Sequence, residues 1–302
     1  MAVARAAERL EAVLGGEVRR DEPMARHTTF RIGGPADLFV TCDTLADLAE
    51  TMKVCAEEGV EWTCVGKGSN LLVSDEGYRG AVVVLGREFK AHSVRGERVT
   101  CGGGCILAYV VRDAFSRGLS GMEFAVGIPG TVGGALAMNA GSRGVWIDSV
   151  VESVTLCVPG AGLQRRAAAD IDWRYRSSGL SAEGVVVEAV LRLRPDEPTR
   201  IRVEMEANLT RRKSSQPLGQ PSAGSVFVNP PDDSAGRLIE AAGLKGTRLG
   251  GARISDVHAN FIVNDGGATA ADVVGLIRKV QMTVRDTYGI ELTPEVRTLG
   301  VF

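Results

Sequence analysis

The sequence predicts an α+β protein built from more than one lobe. Three observations carry this: short β-branched runs interleaved with a few well-capped helices, glycines gathered in clusters, and a change of texture at residues 194–199. Residues 2–14 alternate Ala, Val and Leu with Arg and Glu at helical spacing and stop at Gly15-Gly16, so the chain opens with an amphipathic helix. A second helix begins at Thr44, with Asp47 placed to complete a capping box, Leu48, Met52 and Cys55 on its apolar side, and Gly59 at its end. It lies between "ADLFVTC" and "EWTCVG", which makes the unit strand, helix, strand. The runs "GAVVVLG", "RVTCGGG", "SVVESVTLCV" and "GVVVEAVLRLR" predict further short strands, with one helix near residues 107–117.

At "RPDEPT" two prolines and a charge cluster interrupt the β pattern, and a domain boundary is expected there. Beyond it the sequence predicts a charged helix over 201–213, the loop "SSQPLGQPSAGS", a strand "VFVN", and a short helix in "SAGRLIEAAG" that closes on Gly243. A strand "NFIVN" then leads to a long helix over 270–288, capped by Thr269 and ended by Gly289, and to a last strand around Val296. No internal repeat is visible.

Of 302 residues, 44% are hydrophobic and 24% charged, with a net charge of −2, which suits a globular chain with a sizeable core. The absence of a basic stripe and the scarcity of aromatics argue against nucleic acid as a partner. The N-terminus lacks the apolar core of a signal peptide, and no window approaches a membrane span, so a cytoplasmic protein without membrane association is expected. Six cysteines stand without a CxxC pair and three histidines lie far apart in sequence, so no metal site and no disulfide framework is indicated; buried free thiols are expected.

Glycine is the outlier, at 38 residues where about 7% of a chain is usual. In "GIPGTVGGALAMNAGSRG", residues 127–144, six of eighteen residues are glycine. Such clustering inside ordered structure suits positive φ or the close approach of another body to bare backbone. In "VGKGSNLLVSDEGYRG", Gly66 and Gly68 directly follow an apolar run, where backbone amides can converge on a phosphate. The spacing is neither that of a P-loop nor that of a dinucleotide fingerprint, and an ordinary strand-turn fits it as well. Together the two clusters suggest two bare segments facing one extended ligand.

The motifs "TTFRIGGPAD", "GKGSNLLVSD", "GIPGTVGGALAMNAG", "WRYRSS", "GSVFVNP", "HANFIVN" and "TPEVR", in this order and over nearly the whole chain, resemble the UDP-N-acetylenolpyruvoylglucosamine reductase (MurB) family. The resemblance implies the two-subdomain FAD-binding fold of the vanillyl-alcohol oxidase (PCMH) type with a C-terminal α+β substrate-binding domain. The expected division is residues 1–196 for the flavin, as subdomains of about 1–82 and 83–196, and 197–302 for the sugar nucleotide. It implies non-covalent FAD, NADPH as hydride donor, and reduction of UDP-N-acetylglucosamine enolpyruvate to UDP-N-acetylmuramate, a peptidoglycan precursor. A monomer and the family's shorter subtype, which lacks an extra substrate-covering loop, are expected. The flavin contacts implied are Arg31, Gly66, Lys67, Gly68, Ser69, Asn70, Leu71, Gly127, Ile128, Pro129, Gly130, Thr131, Val132, Gly133, Gly134, Asn139, Ala140 and Gly141.

An enolpyruvyl group accepts hydride only if the negative charge building on its carboxylate is stabilised, and the neighbouring carbon must then be protonated. By the resemblance, Arg176 and Glu295 stand where the family polarises that carboxylate and Ser225 where it keeps its proton donor. A guanidinium matches a carboxylate fork. A serine hydroxyl is a weak acid, so a strongly basic acceptor carbon is required of the substrate. A Glu295 carboxylate beside the substrate's own works best protonated. Tyr175, Lys213, Gly224 and Asn229 are further candidate substrate contacts. The residues by themselves also admit duller readings: Ser225 as a turn residue, Glu295 with Arg297 as a surface ion pair, Arg176 in an interdomain salt bridge, and His258 as a structural imidazole. Two other functions share the glycine clusters, a flavin oxidase of the same fold and a non-catalytic nucleotide-binding protein.

Overall fold

The computed structural model describes residues 1–15 and 17–302; Gly16, half of the expected stop of the first helix, lies outside the described residues. The chain forms two compact units, Met1–Arg20 with Leu38–Lys67 and Gly80–Arg211, and Asp21–Asp37 with Gly68–Arg79 and Arg212–Phe302. The sequence reading sets its boundary at 196–197; the compact units divide at 211–212, and the second also takes two stretches from the N-terminal third.

The first unit holds two apolar cores. In one, the helices Ala2–Val13 and Leu45–Glu58 bury Ala6, Ala7 and Leu10 and Leu48, Met52 and Cys55, the i, i+3, i+4 pattern of one helical face. The second helix starts where the sequence places it. The Asp47 amide donates to Thr44 Oγ1 at 3.1 Å and the Thr44 amide to Asp47 Oδ2 at 3.0 Å, while Gly59 leaves the helix at φ 66°. In the other core, an antiparallel sheet runs in the order Gly162–Ala167, Val151–Val158, Val185–Arg192, Arg98–Gly102, His92–Arg95. Alternate residues such as Val99 and Cys101 face inward, against Val110, Val111 and Ala114 of the helix Leu107–Ser116.

The second unit is built on an antiparallel sheet ordered Ser222–Ser225, Phe261–Asn264, Ala252–Ile254, Arg248–Leu249. The helix Ala270–Tyr288 lays Val273, Leu276, Ile277, Val280 and Val284 into its core. Thr269 and Asp272 form the capping box at its start. The Asp75 carboxylate adds two more acceptors, taking the amides of Ala270 at 2.7 Å and Ala271 at 3.0 Å. A parallel pair, Leu71–Val73 with Arg297–Leu299, holds the stretch 68–79 in this unit.

Two elements differ from expectation. "VFVN" is not a strand: the strand is Ser222–Ser225, and the backbone beyond it is bonded elsewhere. The Asn260 side chain accepts from the Phe227 amide at 2.9 Å and donates to its carbonyl at 2.8 Å, and the Val228 amide donates to Thr293 O. Once a side-chain amide satisfies Phe227, no ladder is needed there. The charged helix is also longer than expected, Pro198–Ser215, with proline in its first turn, where a missing amide costs nothing. Of the cysteines, Cys42, Cys55, Cys101, Cys105 and Cys157 are buried as expected and Cys64 is exposed. Burial pushes the Cys42 thiol up to about 12 and that of Cys55 to about 11, so neither is an activated nucleophile. Among the described residues no helix is long and apolar enough to cross a membrane.

Candidate active site

The glycine-rich run of the first unit separates into positions the chain itself requires and one that it does not. Gly127 and Gly130 have φ of 75° and 128°, conformations a side chain resists. A Cβ on Gly133 would lie 2.9 Å from Gly103 O, and one on Gly141 would lie 2.1 Å from Trp146 Cδ1. At Gly66 it would meet Thr131 Oγ1 at 2.5 Å, which brings the two glycine loops of this unit against each other. Gly134 differs: it is exposed, its φ is not positive, and a Cβ there would meet only Thr131 Oγ1 at 3.4 Å, an ordinary contact. It sits inside the helix Val132–Ala137, where alanine is favoured by about 0.5–1 kcal/mol. Among the described residues nothing forces glycine there, and the backbone at this point is open to close approach.

Four amides of the run are already committed within the chain. The amides of Val132, Gly133 and Gly134 donate to Cys105 O at 2.9 Å, Gly103 O at 2.8 Å and Thr131 Oγ1 at 3.2 Å. Ile128 N–H is bonded to Ala125 O at 3.0 Å. The surface at Val132–Gly134 therefore offers close backbone approach rather than hydrogen bonds. Asn139 is likewise turned inward. Its side-chain nitrogen donates to Asp148 Oδ2 at 3.0 Å and to Arg174 O at 3.2 Å, and its oxygen accepts from the Asp148 amide at 3.3 Å.

Tyr175 and Arg176 are the two central residues of a tight turn closed by the Arg174 amide on Ser177 O at 2.8 Å and the Ser177 amide on Arg174 O at 3.2 Å. Arg176 has φ 61°, a left-handed conformation unfavourable for arginine by roughly 1–2 kcal/mol. Its guanidinium lies 5.2 Å from the centre of the Tyr175 ring and donates to Gly141 O at 3.1 Å. The Tyr175 ring stands edge-on to Trp146 at 6.3 Å. The turn thus presents a guanidinium braced by an aromatic ring and a carbonyl, a donor array suited to a carboxylate.

In the second unit Ser225 and Glu295, far apart in sequence, are brought together: the Glu295 amide donates to Val226 O at 2.7 Å, next to Ser225 at the end of its strand. Gly224 has φ 77° with open space where a Cβ would stand. Asn70 couples the "GSN" motif to the same segment, donating from its side chain to Glu295 O at 3.1 Å and accepting the Arg297 amide at 3.1 Å. Both Ser225 and Glu295 are half-buried. Gly68 is required by the chain, since a Cβ would lie 2.3 Å from His27 O. Arg31 is exposed on a left-handed turn at φ 55°, Lys213 is exposed in the last turn of its helix, and Asn229 accepts the Ala235 amide at 3.1 Å, the role of a helix cap. His258 fits the structural reading, accepting the Asn260 amide on Nδ1 at 3.2 Å.

The reductase of Heliobacterium modesticaldum named UDP-N-acetylenolpyruvoylglucosamine reductase is 49% identical over 287 residues, 94% of this chain and 91% of that protein. The chain belongs to the UDP-N-acetylenolpyruvoylglucosamine reductase family. The Bacillus subtilis reductase of the same name is 43% identical, with 94% of this chain and 95% of that protein covered. Two family models match, an FAD binding domain over residues 36–166 and the C-terminal domain of the reductase over 216–299. The crystal structure of MurB from Thermus caldophilus superposes with a TM-score of 0.84 at 35% identity, covering 94% of this chain and 100% of that one. The α+β class, with an FAD-binding region and a C-terminal lobe, follows. The chain is accordingly an FAD-dependent enolpyruvyl reductase of peptidoglycan precursor synthesis. The open backbone at Gly134 fits a flat cofactor. The inward turn of the Asn139 amide is a feature that motif reading alone does not reveal, because its partners Asp148 and Arg174 lie outside the glycine motif.

Proposed function

We propose that Arg176, Ser225 and Glu295 are the residues with which this MurB enzyme reduces UDP-N-acetylglucosamine enolpyruvate at the expense of NADPH. The adjacency of Ser225 and Glu295, secured by the 2.7 Å bond from the Glu295 amide to Val226 O, is the observation that supports the reading best. Bound FAD supplies the hydride-transfer chemistry between NADPH and the substrate. The open backbone at Gly134 admits it, with Lys67, Ser69 and Thr131 as polar neighbours.

Arg176 takes the substrate carboxylate in a two-pronged, charge-assisted grip and stabilises the negative charge that develops as the double bond accepts hydride at its terminal carbon. Glu295, in its protonated form, donates to the same carboxylate. Ser225 Oγ delivers its proton to the adjacent carbon and is reprotonated from solvent, completing the lactyl ether. Tyr175 and Lys213 contact the sugar nucleotide, Lys213 as a point charge for its diphosphate. Residues 1–82 and 83–196 serve the flavin, apart from Tyr175 and Arg176, and 197–302 the substrate. The short connection between Ser215 and Ser222 supports the shorter subtype. A monomer acting in the cytoplasm suits a chain whose donor and acceptor are both soluble nucleotides.

The test is an anaerobic absorbance titration of the flavin-loaded protein. NADPH bleaches the flavin, and the enolpyruvyl substrate restores it stoichiometrically. A flavin that bleaches but is restored only by oxygen would refute the reductase reading in favour of an oxidase.

A further inference from the structure

Three contacts fasten the Arg174–Ser177 turn and its flank to alternate residues of the glycine-rich run. Ser178 Oγ donates to Ala137 O at 3.2 Å, Asn139 Nδ2 donates to Arg174 O at 3.2 Å, and Arg176 Nη1 donates to Gly141 O at 3.1 Å. Residues 137, 139 and 141 of one segment thus engage 178, 174 and 176 of the other. The central contact differs from its neighbours. Asn139 is 2% exposed with φ 40°, and Asp148 and Arg174 take all of its side-chain hydrogen bonds. The orientation of the amide is decided by those partners. A flipped amide would set its NH2 against the Asp148 N–H and its oxygen against a carboxylate and a carbonyl.

We propose that Asn139 is a positioning residue for Arg176, and not a flavin ligand. Its amide holds the Arg174 carbonyl, the closing acceptor of the turn whose tip carries Arg176 in its left-handed conformation. Asparagine meets both demands, since it tolerates positive φ better than other non-glycine residues and supplies two donors and an acceptor. The turn has φ positive at its third residue, a position that otherwise calls for glycine, and it keeps an arginine there because the run clasps it from outside. The segment that lies along the flavin and the turn that presents the guanidinium are therefore one mechanical piece. This rests on the proposed role of Arg176 toward the substrate carboxylate.

The experiment uses Asn139→Gly, Asn139→Asp and Arg176→Gln in the flavin-loaded enzyme. Glycine keeps the backbone conformation and removes the amide; aspartate keeps the shape and sets a carboxylate against Arg174 O and Asp148. Substrate affinity is measured calorimetrically on the oxidised enzyme without NADPH, and flavin bleaching by NADPH is followed separately. Both Asn139 variants are expected to bind the enolpyruvyl substrate roughly tenfold to a hundredfold more weakly, the scale of a displaced positioning group, with NADPH bleaching within about twofold of the parent. Ser178→Ala, which removes one flanking contact and leaves the turn's own bonds, shifts affinity in the same direction by less. If Arg176→Gln binds substrate weakly while both Asn139 variants bind it normally, the positioning inference is overturned. If Arg176→Gln itself binds normally, the proposed role of Arg176 fails and the inference with it.

Discussion

Replacing Gly134 by alanine should move two properties in opposite directions. The site is inside the helix Val132–Ala137, its φ is not positive, and the added methyl would meet only Thr131 Oγ1 at 3.4 Å. Helix propensity alone then stabilises the flavin-free protein by about 0.5–1 kcal/mol, a rise in Tm of roughly 1–4 °C for a chain of this size. If the flavin lies against this backbone, the same methyl intrudes on a close contact. Overpacking of that kind costs about 1–3 kcal/mol, which weakens FAD binding by roughly 5- to 150-fold. Thermal unfolding of the stripped protein gives the first quantity, and the quenching of flavin fluorescence on titration gives the second. Gly133→Ala is the control: its Cβ would lie 2.9 Å from Gly103 O, so it should lower the stability of the flavin-free protein. A Gly134→Ala protein with raised Tm and unaltered FAD affinity would refute the assignment of this backbone to the cofactor.

Ser225→Ala should leave bleaching by NADPH intact and slow reoxidation by the enolpyruvyl substrate by about 10²–10⁴-fold, as read by anaerobic stopped-flow absorbance. Asp75→Ala should lower the unfolding free energy by about 1–2 kcal/mol in denaturant titration, because it strips two acceptors from the first turn of Ala270–Tyr288. His258 has its proton affinity lowered from 6.5, chiefly by burial and then by Lys245. Its neutral form therefore favours the folded state, a stabilisation complete above pH 6.5 and lost as pH falls through the lower folded value. Thermal scans between pH 7 and 5 should show that loss in the parent and a flatter response in His258→Gln; parallel slopes would count against it.

Much of the local architecture was legible in the sequence because its determinants lie within one turn of each other. Thr44 with Asp47 and Thr269 announce two helix starts and Gly59 and Gly289 their ends, while Leu48, Met52 and Cys55 mark the buried face of the first. The ordered motifs identified the family and its chemistry. The strand expected at "VFVN" fell elsewhere because Asn260, far along the chain, takes both polar groups of Phe227. No window around residue 226 contains that information.

The meaning of individual residues within a motif was the work of tertiary structure. Read along the chain, the glycines look alike, and Asn139 looks like one more polar group beside them. In three dimensions Gly68, Gly133 and Gly141 are bare because the chain's own atoms press on them, Gly134 is bare although a side chain there would meet only an ordinary contact with Thr131, and Asn139 turns away to hold Arg174. By itself the sequence determined most of the helices and strands and which family the chain resembles, since those depend on propensity, periodicity and order. Only the tertiary structure decided which glycine leaves room for a ligand and which side chain braces the arginine, because those depend on close approach between segments distant in sequence.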